Sequence, residues 1–251
     1  MAHLYAREEL ESALAGGDLP EWKRRRYEAF HRTMTDEDPP YPCYFAVDAH
    51  RDGDLRYLFA PSASTDDGRA AFADGLGTYL DGARDVADVT ALAALFEPPS
   101  EPLPFDAYWD RFWGLLAHLH RHDPAPWPDG IPIDPTDPEW EFCYAGEPIF
   151  LVARAPCFER RHSRHAPHGL EVTVQPRWVF DGFEAGTEAG ERARRTIRER
   201  LEEYDDVPRH PDVGDYGAPG VREWEQYMLP DSNEARPEDF PIAGWPRESA
   251  E

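Results

Sequence analysis

Lysine is almost absent from this chain: Lys23 stands alone, and arginine carries nearly all of the positive charge. Basic residues of both kinds number 26 against 50 acidic ones, so the formal charge is −24. Phosphate-backbone binding needs clustered lysine and arginine, so this balance disfavours a nucleic-acid partner. Cysteine is scarce too. Cys43, Cys143 and Cys157 are an odd number in 251 residues, a length that can build a core without disulfides. That points to a reducing cytoplasm. No run approaches the ~18 apolar residues of a membrane span, and Met1 to Ala15 lacks an apolar stretch of leader-peptide length. A soluble cytoplasmic protein without a membrane partner is expected. Also missing are Gly-x-Gly-x-x-Gly, a phosphate loop and a Gly-x-Ser-x-Gly elbow, which removes support from dinucleotide-dependent dehydrogenase, kinase and common serine-hydrolase readings.

What is present begins with the acids. They are spread along the whole chain, which fits a surface that binds water and cations and resists aggregation in concentrated salt better than it fits a docking face for one basic partner. An acidic protein of halophilic type is expected.

Hydrophobic spacing outlines the elements. Asp18 to Thr35 reads as a helix with Trp22, Tyr27, Phe30 and Met34 on one face, and Asp66 to Ala83 as an amphipathic helix. Phe105 to His120 carries the strongest helical stripe, through Tyr108, Phe112, Leu115, Leu116 and Leu119. Thr187 to Tyr204 is a charged helix. Cys43 to Ala49 and Leu55 to Ala60 read as two strands joined by a turn at Asp52-Gly53-Asp54. Val89 to Phe96, Leu170 to Phe180 and a hairpin over Glu139 to Ala153 complete the strands. Hairpin-linked strands with helices between them predict an α+β (or α/β) fold, one mixed sheet covered by helices. No linker divides the chain, so one domain over residues 1–251 is expected, with its core at about 20–235.

Several residues stand out chemically. The run Asp137 to Phe150 sets Glu141 and Glu147 among Trp140, Phe142, Cys143 and Tyr144. Charges cost several kcal/mol to bury unless they are paired or used. Cys43, where a loop enters an expected strand, offers a thiol that as thiolate could bind a metal or act as nucleophile, or a small buried hydrophobe. His118, His120 and His122 close a helix, where they complement its dipole. His162, His165 and His168 lie in a loop with Arg160, Arg161 and Arg164. No Cys-x-x-Cys or His-Glu-x-x-His accompanies them, so the zinc signal is weak. His210, between Arg209 and Pro211, is a loop residue or a single ligand. Arg160, Arg161, Arg164 and Arg177 suit carboxylates or phosphates, or internal pairing with the surplus acids.

The order of blocks resembles the YqcI/YcgG family. The matching pieces are Glu21-Trp22-Lys23, Tyr41-Pro42-Cys43, Leu55-Arg56-Tyr57, Phe112-Trp113, Pro126-Trp127-Pro128, Asp137 to Phe150 and Ser163-Arg164. Gln175 to Phe180, Arg198 to Tyr204, His210-Pro211, Tyr216-Gly217 and Glu223-Trp224 follow. The resemblance implies a haem b enzyme that uses dioxygen and electrons to hydroxylate a nitrogen of a small guanidine-containing or related amine substrate, with an electron-donor protein as a further partner. On that reading Cys43 or His210 ligates the metal, with His210 slightly preferred because Cys43 opens a strand expected to be buried. Arg164 and Arg177 hold the propionates, and Glu141 and Glu147 grip the cationic substrate against Trp140 or Trp178. Absence of Cys-x-x-Cys-His leaves only noncovalent haem. A non-catalytic haem or small-molecule binding protein, and a haem-free protein, are the alternatives. Where family members often end in Cys-Pro-Phe, this chain has Asp239-Phe240-Pro241-Ile242.

Overall fold

The structure, a computed structural model, describes residues 3–184, 186–234 and 239–246. Its frame is a six-stranded mixed sheet in the order β1-β2-β3-β6-β5-β4. The strands are β1 (Leu4–Ala6), β2 (Leu55–Ala60), β3 (Ala91–Phe96), β4 (Cys143–Tyr144), β5 (Glu147–Arg154) and β6 (Glu171–Pro176). Only β2 and β3 run parallel, and the helix that crosses between them is α4 (Asp66–Gly82). The remaining helices are α1 (Arg7–Gly16), α2 (Glu21–Thr35), α3 (Tyr44–Asp52), α5 (Phe105–Arg121) and α6 (Glu188–Tyr204). This is the expected α+β architecture.

Every residue of β3 is buried, as befits a central strand covered on both faces. Its side chains alternate. Leu92, Ala94 and Phe96 join Phe72 and Leu76 of α4 and Phe112 and Leu116 of α5 in one core. Ala91, Ala93 and Leu95 face Tyr27, Phe30 and Met34 of α2 and Ala46 and Ala49 of α3 in the other. The crossover helix α4 and the last long helix α6 start where chemistry favours a start. Thr65 accepts the Gly68 N–H at 3.1 Å at the head of α4, and Thr187 accepts the Gly190 N–H at 3.0 Å at the head of α6, satisfying donors that no turn of helix can reach.

One expected strand is a helix. Cys43–Ala49 forms the start of α3, with Cys43 as its N-cap. Phe45, Ala46, Ala49 and His50 are its buried residues, a spacing of one, four and five that marks a helical face. Gly53, at φ 84°, then reverses the chain, so Asp52-Gly53-Asp54 is a helix terminus rather than a hairpin turn. The Asp54 N–H reaches back to the Ala49 carbonyl at 2.8 Å and the Gly53 N–H to that of His50 at 3.3 Å, which is the Schellman pattern. The expected strand over Leu170–Phe180 also stops early. Pro176 has no N–H to donate, and Arg177–Phe180 turn out of the sheet as a single 3-10 turn. Strand β1 and helix α1, unassigned from the sequence, form one edge. Among the described residues, no helix is long and apolar enough to cross a membrane.

Candidate functional site

Where β6 leaves the sheet, its first side chain beyond Pro176 is Arg177, and three other segments close around it. The extended run before β4 brings Glu141, whose position is set by the Phe142 N–H donating to the Tyr227 hydroxyl at 3.2 Å. A one-turn 3-10 helix, Glu223–Gln226, brings Glu223. The loop carrying Tyr216 is stitched to residues just ahead of Glu141: Gly217 N–H donates to the Pro138 carbonyl at 2.9 Å, and the Tyr216 hydroxyl donates to the Glu139 carbonyl.

The result is a guanidinium held in a cage. Arg177 Nε donates to Glu141 Oε2 at 2.6 Å, and its Nη2 lies 3.6 Å from Glu223 Oε1. Its Cζ sits 3.5 Å from the Tyr216 ring centroid, within cation–π range. Glu141 and Glu223 are buried at 0% and 4% side-chain exposure, while Arg177 keeps 24%. Glu141 Oε1, fully enclosed, has no hydrogen-bond donor. Burial pushes both carboxyls above the usual carboxylate range. Arg177 opposes the rise at each, and the charge of Glu223 adds to it at Glu141. Burial lowers the pKa of Arg177, but the two acids outweigh that and hold its charge more firmly than usual.

A short relay leads from this cage to Cys43. Gln226 Nε2 donates to Glu223 Oε2 at 3.1 Å, and Arg164 Nη2 donates to the Gln226 carbonyl at 3.1 Å. Arg164, with Arg200, in turn favours a negative charge on the Cys43 sulfur, as do the N–H groups of Ala46 and Phe45 at the start of α3. Burial outweighs them and pushes the thiol up. Arg164 Nη1 is enclosed without an acceptor. A cavity of about 770 Å³ opens between α2, α3 and α6; the residue after Cys43, Tyr44, lines it with Met34, Val47 and Phe183 as apolar walls and Arg192 and Arg200 among its charges, whereas Cys43 and Arg164 do not line it.

The other residues singled out in the sequence lie elsewhere. Glu147 is 3.8 Å from Arg84, and the same guanidinium sits 4.7 Å over the Trp178 ring; these two form their own group at the sheet edge. Trp140 is fully buried in an aromatic cluster with Trp127, Phe240 and Trp245, at centroid distances of 6.3, 5.3 and 5.7 Å. His210 has no exposed surface, and its Nδ1 accepts the Asp212 N–H at 3.2 Å. Arg161 is committed to the fold through the Pro230 carbonyl at 2.8 Å and Asn233 Oδ1 at 2.7 Å. Glu223 and Tyr216 were not assigned a task from sequence. The blocks Tyr216-Gly217 and Glu223-Trp224 drew notice only as pieces of a resemblance, and nothing in their spacing tied them to Arg177.

The model of the YqcI/YcgG family matches residues 30–243. The chain belongs to that family. It is 39% identical to YcgG of Bacillus subtilis (strain 168) over 217 residues, covering 85% of each chain. Identity to YqcI of the same organism is 35% over 234 residues, 92% of this chain and 91% of the relative. Both relatives bear the name uncharacterized protein. A third relative, from Streptomyces lavendulae, is 32% identical over 234 residues, 90% of this chain and 86% of its own, and is named "Putative N(omega)-hydroxy-L-arginine synthase DcsA". No solved structure matches.

Proposed function

We propose that this member of the YqcI/YcgG family is a dioxygen-using N-hydroxylase of a small guanidine-bearing substrate, with haem b as its cofactor. The observation that carries the reading is the Glu141–Glu223–Tyr216 cage. Two buried carboxylates and an aromatic face are what recognise a planar cation, and the cage already encloses a guanidinium, that of Arg177. The name of the Streptomyces relative supports the same substrate class. Glu223 and Tyr216 thus take the parts first given to Glu147 and the tryptophans. Arg177 and Tyr216 are the partly exposed members, so the substrate approaches along them.

The residues around Cys43 fit the cofactor. The sulfur faces two helix-start N–H groups and two guanidiniums that favour a thiolate against the burial that raises the thiol, and Arg164 Nη1 is a buried donor without an acceptor. Haem would be held by Cys43, with Arg164 and Arg200 available to its propionates. Arg177 is a poorer propionate anchor because Glu141 and Glu223 already neutralise it. His210 is a poorer ligand because its ring has no accessible surface. When bound, haem would supply the activation of dioxygen, one atom of which goes to the guanidine nitrogen while the other leaves as water with two electrons from the reductant. The chain's own work is to orient the guanidine through Glu141 and Glu223 and to keep water from the buried carboxylates.

The test is to load the purified protein with hemin and supply a reductant, L-arginine and isotopically labelled dioxygen, then look for one labelled oxygen on the guanidine by mass spectrometry. Repeating the reaction with other guanidines maps the substrate. A Soret band without product from any guanidine would leave a binding protein without turnover. Unshifted hemin bands would refute the cofactor assignment.

A further inference from the structure

Around Arg177 the charges do not balance. Glu141 and Glu223 are two acids, and Arg177 is the single cation in ion-pair reach of either among the described residues. The other titratable groups facing them are Tyr216, Tyr227 and Cys143, all neutral when protonated; Glu139, which acts on Tyr216, is a further acid. Arg164 touches this group only through the Gln226 carbonyl. With both acids ionised, a surplus negative charge would sit on two buried carboxyls, and such a charge is costly. The geometry marks the same deficit. Glu141 Oε1 is enclosed and receives no donor, although Arg177 Nη2 is likewise enclosed without an acceptor; a bare oxygen of this kind is far worse for a carboxylate than for a carboxylic acid.

We propose that the Glu141–Glu223 pair stores one proton in the resting protein and releases it when a guanidinium enters the cage, so that substrate binding is a cation-for-proton exchange. This rests on the cage being the substrate site. The balance is simple: a half-protonated acid pair plus a guanidinium gives two carboxylates bound to that guanidinium and one proton delivered to solvent, with no electrons moved. The incoming cation takes over the neutralising role of the proton and provides the donor that Glu141 Oε1 lacks. Affinity for a cationic guanidine therefore rises as pH rises through neutrality, and a neutral urea of the same shape gains nothing from it. The direction of both carboxyl shifts agrees with this.

Two measurements test the proposal independently. Infrared spectra of the ligand-free protein are followed across pH for the carbonyl stretch of a protonated carboxyl, with its deuterium shift. The band should persist above the range where ordinary carboxylates ionise and fade toward alkaline pH, and Glu141→Gln or Glu223→Gln should abolish that titration. Calorimetry with L-arginine, in two buffers of different ionisation heat, should then show close to one proton released per ligand bound near neutrality. A band that is missing, or that titrates unchanged in both variants, overturns the stored proton whatever the substrate is. Binding without proton release overturns the exchange. If the band behaves as expected but no guanidine binds, the cage is not the substrate site, and the exchange falls with that reading while the proton store stands. The wild-type titration needs no variant, so misfolding of a substituted chain cannot decide the outcome.

Discussion

Arg177→Met tests the energetics of the cage without any ligand. Methionine keeps an apolar stem but removes the guanidinium over Tyr216, which is the one positive charge that faces Glu141 and Glu223. Breaking a buried ion pair costs about 3–5 kcal/mol, and the lower end applies because Arg177 is partly reached by solvent. The cost must depend on pH. Burial raises both carboxyls above their range in an unfolded chain, so the native state binds more protons than the unfolded one from the ordinary carboxylate range up to the raised folded values. Their contribution to stability is present in acid and is lost as pH rises through the folded values. Without Arg177 that loss steepens, since ionisation then leaves two uncompensated charges. At about pH 8 the variant should lose about 3 kcal/mol, a melting drop of about 6–12 °C for a chain of this size. At about pH 5 both acids are protonated, and the drop should shrink to a few degrees. Thermal melts followed by circular dichroism across pH measure this directly. An equal loss at both pH values would refute the electrostatic argument and make Arg177 a packing residue.

Three further predictions follow from other parts of the molecule. Phe240 lies 5.3 Å from Trp140 and 5.5 Å from Trp224, the neighbours of Glu141 and Glu223; Phe240→Ala should cost about 2 kcal/mol and weaken the near-ultraviolet signal of the tryptophans, and an unchanged spectrum would show that the C-terminal segment does not order the cage. Arg154 and Glu171, paired across β5 and β6 at 2.6 Å with 3% exposure each, should behave as a unit: Glu171→Ala alone loses about 3–5 kcal/mol, whereas a double replacement by Met recovers most of it, and additive losses in denaturant melts would contradict the coupling. With a formal charge of −24, melting temperature should rise with salt as self-repulsion is screened; a melting temperature independent of salt would count against adaptation to concentrated salt.

The parts of the fold that the sequence determined are those where a pattern is long or a terminator is strong. The stripe of α5, from Phe105 to Leu119, spans enough turns to have only one reading, and Thr65 and Thr187 mark helix starts by their hydroxyls. Ala145 and Gly146, both with positive φ, turn the β4–β5 hairpin within the region that the sequence marked. Cys43–Ala49 failed because seven mostly apolar residues fit either period, and the deciding residue, Gly53, ends a helix as readily as it turns a hairpin. The sequence also marked Glu141 as anomalous, since a charge among Trp140, Phe142 and Tyr144 needs a partner.

Which partner it has was decided only by tertiary structure. Glu147 is six residues from Glu141 along the chain, yet it lies by Arg84, while Glu223 and Tyr216, some eighty residues away, close on Arg177 beside it. Local periodicity says which way a side chain points from its own element. It holds no record of which other elements the sheet order and the loops bring opposite, and a buried charge is balanced only by what stands across from it.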